Sequence, residues 1–175
     1  MTHLDDSNIS RVLELGCGEG HLCRLLSRQG FQVMGVDISD IAIAWAQQKN
    51  KQYRTHVDYL SADLTDAALN LNRKFDLIVD GNCLHCITGD SRRVFLANAI
   101  KHLNDHGTLF ISSLCSKDET NHLIEQYDLN YRFIPGPQFL LAELQHNGFT
   151  IIAKHIYQRK KHNHINIWLS KSPVL

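Results

Sequence analysis

The chain has 175 residues, 43% hydrophobic and 21% charged, a mixture suited to one domain with a full core and unlike that of a disordered segment. Lysine plus arginine number 18 and aspartate plus glutamate 18, so the formal net charge is zero. Zero net charge argues against nucleic acid as a partner, because phosphate neutralisation usually demands a basic excess.

No run of residues is long and apolar enough to span a bilayer, and the polar start, with Asp5 and Asp6, has no apolar signal core. A membrane partner is therefore not expected. The five cysteines are odd in number and lack framework spacing, which fits reduced thiols and a cytoplasmic location. No repeat or linker divides residues 1–175, so one domain is expected, with residues 1–10 as a short N-terminal tail.

In chain order, residues 11–15 predict a first strand ending at Gly16-Cys17-Gly18-Glu19-Gly20. Leu22, Leu25 and Leu26 follow at helical spacing, with Gly30 as the stop. A second buried strand, residues 31–36, ends at Asp37. Ser39 can cap the next helix, whose expected inner side carries Ile41, Ala42, Trp45 and Ala46. A third strand near residues 57–60 leads to Asp63, and residues 75–79 form a fourth. Leu96, Ala99, Ile100 and Leu103 mark a helix face, and Gly107 precedes a fifth strand running to about Leu114.

Residues 115–137 are longer than an ordinary connection and are expected to hold a short helix over residues 121–127. A helix through Leu140, Leu141 and Leu144 should stop at Gly148. Two strands, residues 149–157 and 164–169, close the chain as a hairpin around Arg159-Lys160-Lys161. Strands alternating with helices predict an α/β, doubly wound, mostly parallel sheet, and the closing hairpin adds an antiparallel strand.

The glycine loop is the most specific chemical signal. Glycines at 16, 18 and 20 allow a sharp strand-to-helix turn and a close ligand approach, and the following helix start offers free N–H groups. A dinucleotide fingerprint would need glycine where His21 stands. Asp37 ends the second strand, where a carboxylate accepts hydrogen bonds from ribose hydroxyls. Asp63 can accept from an adenine amino group while the Leu64 N–H donates to the ring. Each acid alone could equally be a cap or turn residue.

The runs Val12-Leu13-Glu14-Leu15-Gly16-Cys17-Gly18-Glu19-Gly20, Val33-Met34-Gly35-Val36-Asp37-Ile38-Ser39, Ala62-Asp63-Leu64 and Phe75-Asp76-Leu77-Ile78-Val79-Asp80 resemble the class I S-adenosylmethionine-dependent methyltransferases, specifically the small single-domain members. The resemblance implies a seven-stranded Rossmann-like sheet and S-adenosylmethionine as cofactor, leaving S-adenosylhomocysteine as product. It further implies that Glu14, Gly16, Cys17, Gly18 and Gly20 surround the methionine part. Asp37 would hold the ribose, Ile38 would pack on adenine, Asp63 and Leu64 would read its edge, and Asp80 would lie near the sulfonium.

The family's usual N-terminal cover is short or missing, and the Asn-Pro-Pro-Tyr-like run of planar-amine methylation and the Pro-Cys pair of cytosine C5 enzymes do not occur. A small-molecule acceptor is therefore the leading expectation. Methylation of nucleic acid or protein with a partner subunit, and a non-catalytic cofactor-binding module, are the alternatives; a homo-oligomer is compatible with either. His85 is the candidate catalytic base, against a purely packing role. Tyr127, Tyr131, Arg132 and Phe133 could wall the acceptor pocket or merely anchor the insertion. Cys83-Leu84-His85-Cys86 invites a metal reading, but no second ligand pair stands at matching spacing, so no metal is expected.

Overall fold

The computed structural model describes residues 9–127 and 129–173, so most of the expected N-terminal tail lies outside the described residues. Strands β1 (Arg11–Leu15), β2 (Gln32–Asp37), β3 (Val57–Ser61), β4 (Phe75–Gly81), β5 (Leu103–Cys115), β8 (Phe149–Tyr157) and β9 (Asn163–Lys171) form one sheet. Its order is β3-β2-β1-β4-β5-β9-β8, with β9 alone antiparallel to the rest. Helices α1 (His21–Arg28), α2 (Asp40–Gln52), α3 (Ser91–His102) and α4 (Pro137–His146) complete the layers. The expected α/β architecture is present.

Two apolar clusters, one on each face, hold the sheet between the helices. One gathers Leu13, Ile78, Phe95, Leu96, Leu109, Ile111, Leu140 and Leu144; the other gathers Val12, Cys23, Val33, Ile43, Leu77 and Val79. The central strands are apolar on both faces, as buried parallel strands require. Arg92 of α3 and Glu143 of α4 clamp the first layer through a two-pronged, buried ion pair at 2.7 and 2.6 Å.

Three local expectations change. Residues 121–127 do not form a helix: they enter β6 (His122–Gln126), which pairs antiparallel with β7 (Leu129–Ile134). Tyr127 takes a left-handed φ of 54° in the turn, which ends any helical run, and the pairing partner lies beyond the segment itself. On α2 the inner face is Ile43 and Ala46, whereas Ile41 and Trp45 are 65% and 57% exposed. The Ser39 hydroxyl caps α2 by accepting from the Ala42 N–H, and Ile43 packs into the cluster with Val12, Val33 and Val57, which leaves Ile41 and Trp45 outward. Finally, β5 starts at Leu103, with a register irregularity opposite Phe75 and Leu77 that absorbs Gly107 into the strand.

Candidate active site

The glycine loop leaves β1 at the sheet's carboxyl edge and is tied to its neighbour. Gly16 and Cys17 both donate N–H to the Val36 carbonyl, at 2.8 and 3.0 Å. Gly20 adopts φ 75°, and any Cβ there would overlap the Tyr59 hydroxyl from β3. Only glycine meets both demands. The Gly18 N–H donates to Asp37 Oδ2 at 2.8 Å and the Ser39 N–H to Asp37 Oδ1 at 2.9 Å. Each Asp37 oxygen keeps a lone pair for a further donor.

Gly16, Asp37, Ile38, Asp63 and Leu64 line one cavity of about 360 Å³, together with Thr65, Cys83, Cys86, Ile87, Thr88 and Ser91. Asp63 Oδ1 accepts from both the Thr65 N–H and hydroxyl, at 2.7 and 2.6 Å, so its turn role and its availability through Oδ2 coexist. Ile38 is 69% exposed, an apolar surface that a flat ring would cover.

The other expected cofactor residues stand behind that wall. Glu14 is buried and accepts from the Cys23 N–H at 3.0 Å and its thiol at 2.8 Å; burial raises its pKa against those bonds. Cys17 packs into the second apolar cluster beside Gly35, leaving its backbone to the loop. Asp80 is fully buried and accepts from the Cys83 and Leu84 N–H groups at 2.7 and 3.2 Å. It thereby anchors the 3-10 turn Leu84–Cys86, and burial raises its pKa to about 7. Glu14, Cys17, Gly18, Gly20 and Asp80 thus shape and brace the cavity without lining it.

Sequence reasoning missed Ile87, Thr88 and Ser91, which carry no motif. They reach the cavity because Arg92 donates to the Leu84 and Ile87 carbonyls at 2.7 and 3.0 Å, folding this segment over the edge. Among the described residues no cluster of three metal-ligating side chains occurs, and the cysteines are free.

His85 sits on the anchored turn, 5% exposed, with Nδ1 buried and unpartnered. Burial, then the Arg132 charge, lowers its pKa to about 4, so it is neutral at pH 7. The four insertion residues part company. Tyr127 is 88% exposed at the hairpin tip. Phe133 stands edge-on to Phe139 at 5.7 Å and lies under the Arg92 guanidinium at 4.8 Å, so it anchors the hairpin. Tyr131 and Arg132 line a second cavity between this hairpin and the β8–β9 turn.

Residues 4–154 match the family model for a methyltransferase domain. The chain belongs to this family of methyltransferase domains. A ubiquinone biosynthesis O-methyltransferase from Bartonella quintana is 30% identical over 104 residues, 59% of this chain and 41% of that protein. The chain thus spans less than half the length of that relative. An uncharacterised methyltransferase from Schizosaccharomyces pombe is 25% identical over 63% of this chain and 76% of its own length.

Among solved structures of methyltransferases, the Burkholderia thailandensis 1,6-didemethyltoxoflavin-N1-methyltransferase, with its didemethyltoxoflavin and S-adenosylhomocysteine bound, superposes with a TM-score of 0.81. Identity is 20%, over 94% of this chain and 72% of the other. An S-adenosylmethionine-dependent methyltransferase from Clostridium acetobutylicum gives 0.76 at 17% identity, covering 94% and 85%. At such identities these likenesses establish the fold of the methyltransferase domain.

Proposed function

We propose that this chain is a single catalytic domain that binds S-adenosylmethionine in the cavity at Gly16, Asp37 and Asp63 and methylates a small-molecule acceptor. The observation that carries the reading is the convergence of a bare-backbone turn, a ribose-height carboxylate and an adenine-height carboxylate on one cavity. The exposed Ile38 and the free oxygen lone pairs of Asp37 and Asp63 suit an adenosine. When bound, the cofactor supplies an already activated methyl group.

The chain's own residues then contribute alignment and exclusion of water, which can lower such a barrier by roughly 7–11 kcal/mol. Asp37 holds the ribose and the Gly16–Gly20 loop receives the amino-acid tail. His85, neutral and with a free Nδ1, accepts a hydrogen bond from an acceptor O–H or N–H. Its low basicity delays proton transfer until bonding to the methyl carbon has acidified that proton.

Among the described residues no helix is long and apolar enough to cross a membrane. A cytoplasmic location and a homo-oligomer are part of the same reading. The test is incubation of the protein with methyl-labelled cofactor and, separately, metabolite, RNA and protein extracts. Label in the metabolite pool is expected. Label confined to RNA or protein would replace the small-molecule reading, and cofactor binding without transfer to any pool would leave a binding module.

A further inference from the structure

The second cavity, about 540 Å³, is lined by Leu114, Ile124 and Ile134 on its apolar side and by Arg132, Arg159, Lys161 and His162 on the other. Glu125 is the one acid among its lining residues. Among the described residues none of Arg132, Arg159 and Lys161 has an acidic partner within ion-pair distance. Cations gathered without counter-charges repel each other, and such an arrangement is retained where an anion completes it.

Two unsatisfied polar atoms belong to residues of this same cavity. Among the described residues, four buried side-chain atoms lack a hydrogen-bond partner: His85 Nδ1, Arg132 Nε, His162 Nε2 and Asn166 Oδ1. Arg132 and His162 line the cavity itself, and Asn166 lies on β9 two residues beyond His164. Buried polar atoms are normally paired, so two orphans among the residues lining one cavity point to a ligand. Burial and then the neighbouring cations Lys161, His122, Lys117 and Arg132 hold His162 below its usual pKa, a second sign of excess positive potential.

A chain of bonded residues connects this cavity to the first. The Asn82 N–H, next to Cys83 of the cofactor cavity, donates to the Ser112 carbonyl at 3.1 Å. Ser112 Oγ bonds His164 Nε2 at 2.7 Å, and His164 pairs in register with Leu114 of the second cavity. His85 stands in the chain between Cys83 and Cys86 of the first cavity and feels the charge of Arg132 from the second.

We infer that the cavity between the β6–β7 hairpin and the β8–β9 turn binds the anionic end of an amphiphilic acid, with Arg132, Arg159, Lys161 and His162 around a carboxylate or phosphate and Leu114, Ile124 and Ile134 against its apolar body. That this acid is the methyl acceptor rests on the function proposed above; the anion site itself does not. Arg132 presents a planar fork to two anion oxygens, whereas Lys161 contributes a point charge from the exposed turn.

Calorimetric titration with benzoate, phenyl phosphate and neutral benzamide tests the site and separates carboxylate from phosphate. At least one anion is expected to bind tenfold or more tightly than benzamide, and to weaken with salt. K161E, a charge reversal on an exposed turn, should weaken it at least threefold, and R132Q with K161E at least tenfold. Benzamide binding as tightly as both anions, or K161E binding the anions as wild type does, overturns the site.

Titration of S-adenosylhomocysteine into the same samples keeps the two readings apart. Its binding retained while the anions fail refutes the anion site alone; the reverse refutes methyl transfer and leaves the anion site standing. In the labelling experiment, product retained on an anion exchanger at neutral pH supports the acid as acceptor. Labelled product that is not retained, or no labelled product, overturns that assignment.

Discussion

The Gly18 N–H and the Asp37 carboxylate meet across 2.8 Å, joining the loop after β1 to the end of β2. The bond makes the acid proposed to hold the ribose also a brace of the glycine loop, while the Ser39 N–H donates to its other oxygen at 2.9 Å. Asp37→Ala should therefore weaken S-adenosylmethionine binding by more than tenfold in calorimetry, through the lost ribose acceptor and the loosened loop together. Asp37→Asn should do nearly the same, since its single amide oxygen can accept from Gly18 or from Ser39 but not from both. An affinity within threefold of wild type for either variant would separate Asp37 from the cofactor.

Gly20→Ala combines a left-handed backbone with overlap on Tyr59, the residue whose hydroxyl donates to the Gly20 carbonyl at 3.3 Å. The expected cost is about 1–3 kcal/mol in urea denaturation. Adding Tyr59→Phe should not restore stability, because a ring carbon would still lie 2.6 Å from the new Cβ. Full rescue by the phenylalanine would show that the hydroxyl alone sets the constraint.

Asp80 makes stability depend on pH in a direction opposite to that of an exposed ion-paired carboxylate. Its pKa rises from 3.8 to about 7 in the fold, chiefly by burial. The folded state therefore holds a proton that the unfolded state releases between those values, and Asp80's contribution is full below pH 4 and fades as pH rises to 7. Asp80→Asn keeps an acceptor for the Cys83 N–H without that titration. Denaturation curves from pH 4 to 8 should show the variant gaining on wild type up to pH 7 and then running parallel. A constant difference across this range would place the ionisation elsewhere.

Glu143→Ala should destabilise by about 3–5 kcal/mol, since it strands the Arg92 guanidinium, whose side chain is 5% exposed. Glu143→Gln, which can still accept one hydrogen bond, should cost less. Equal costs by urea denaturation would mean that packing of the α4 side chain, and not the ion pair, supports the joint.

Much of this protein was legible before its fold. Strand positions, helix stops, the glycine loop and the spacing to Asp37 and Asp63 are local properties: alternating apolar runs, glycines able to turn left-handed, and acids at strand ends. The sheet type follows from them, because strands separated by helices can pair in few ways. Cavity-lining roles were legible for Gly16, Asp37, Ile38, Asp63 and Leu64, each sitting at a strand end or beside one.

Only the tertiary structure decided the rest, because in each case the determining partner lies outside the segment's own pattern. Residues 122–126 became a strand because residues 129–134 pair with them, a choice their own pattern does not make. Trp45 and Ile41 face outward because Ile43, on the opposite side of α2, packs against Val12, Val33 and Val57 of the sheet. Asp80 became an anchor rather than a cavity wall because the chain turns back over it at Cys83 and Leu84. The basic cavity exists because two hairpins from distant parts of the chain meet, and electrostatic potential belongs to that meeting, not to the order of residues.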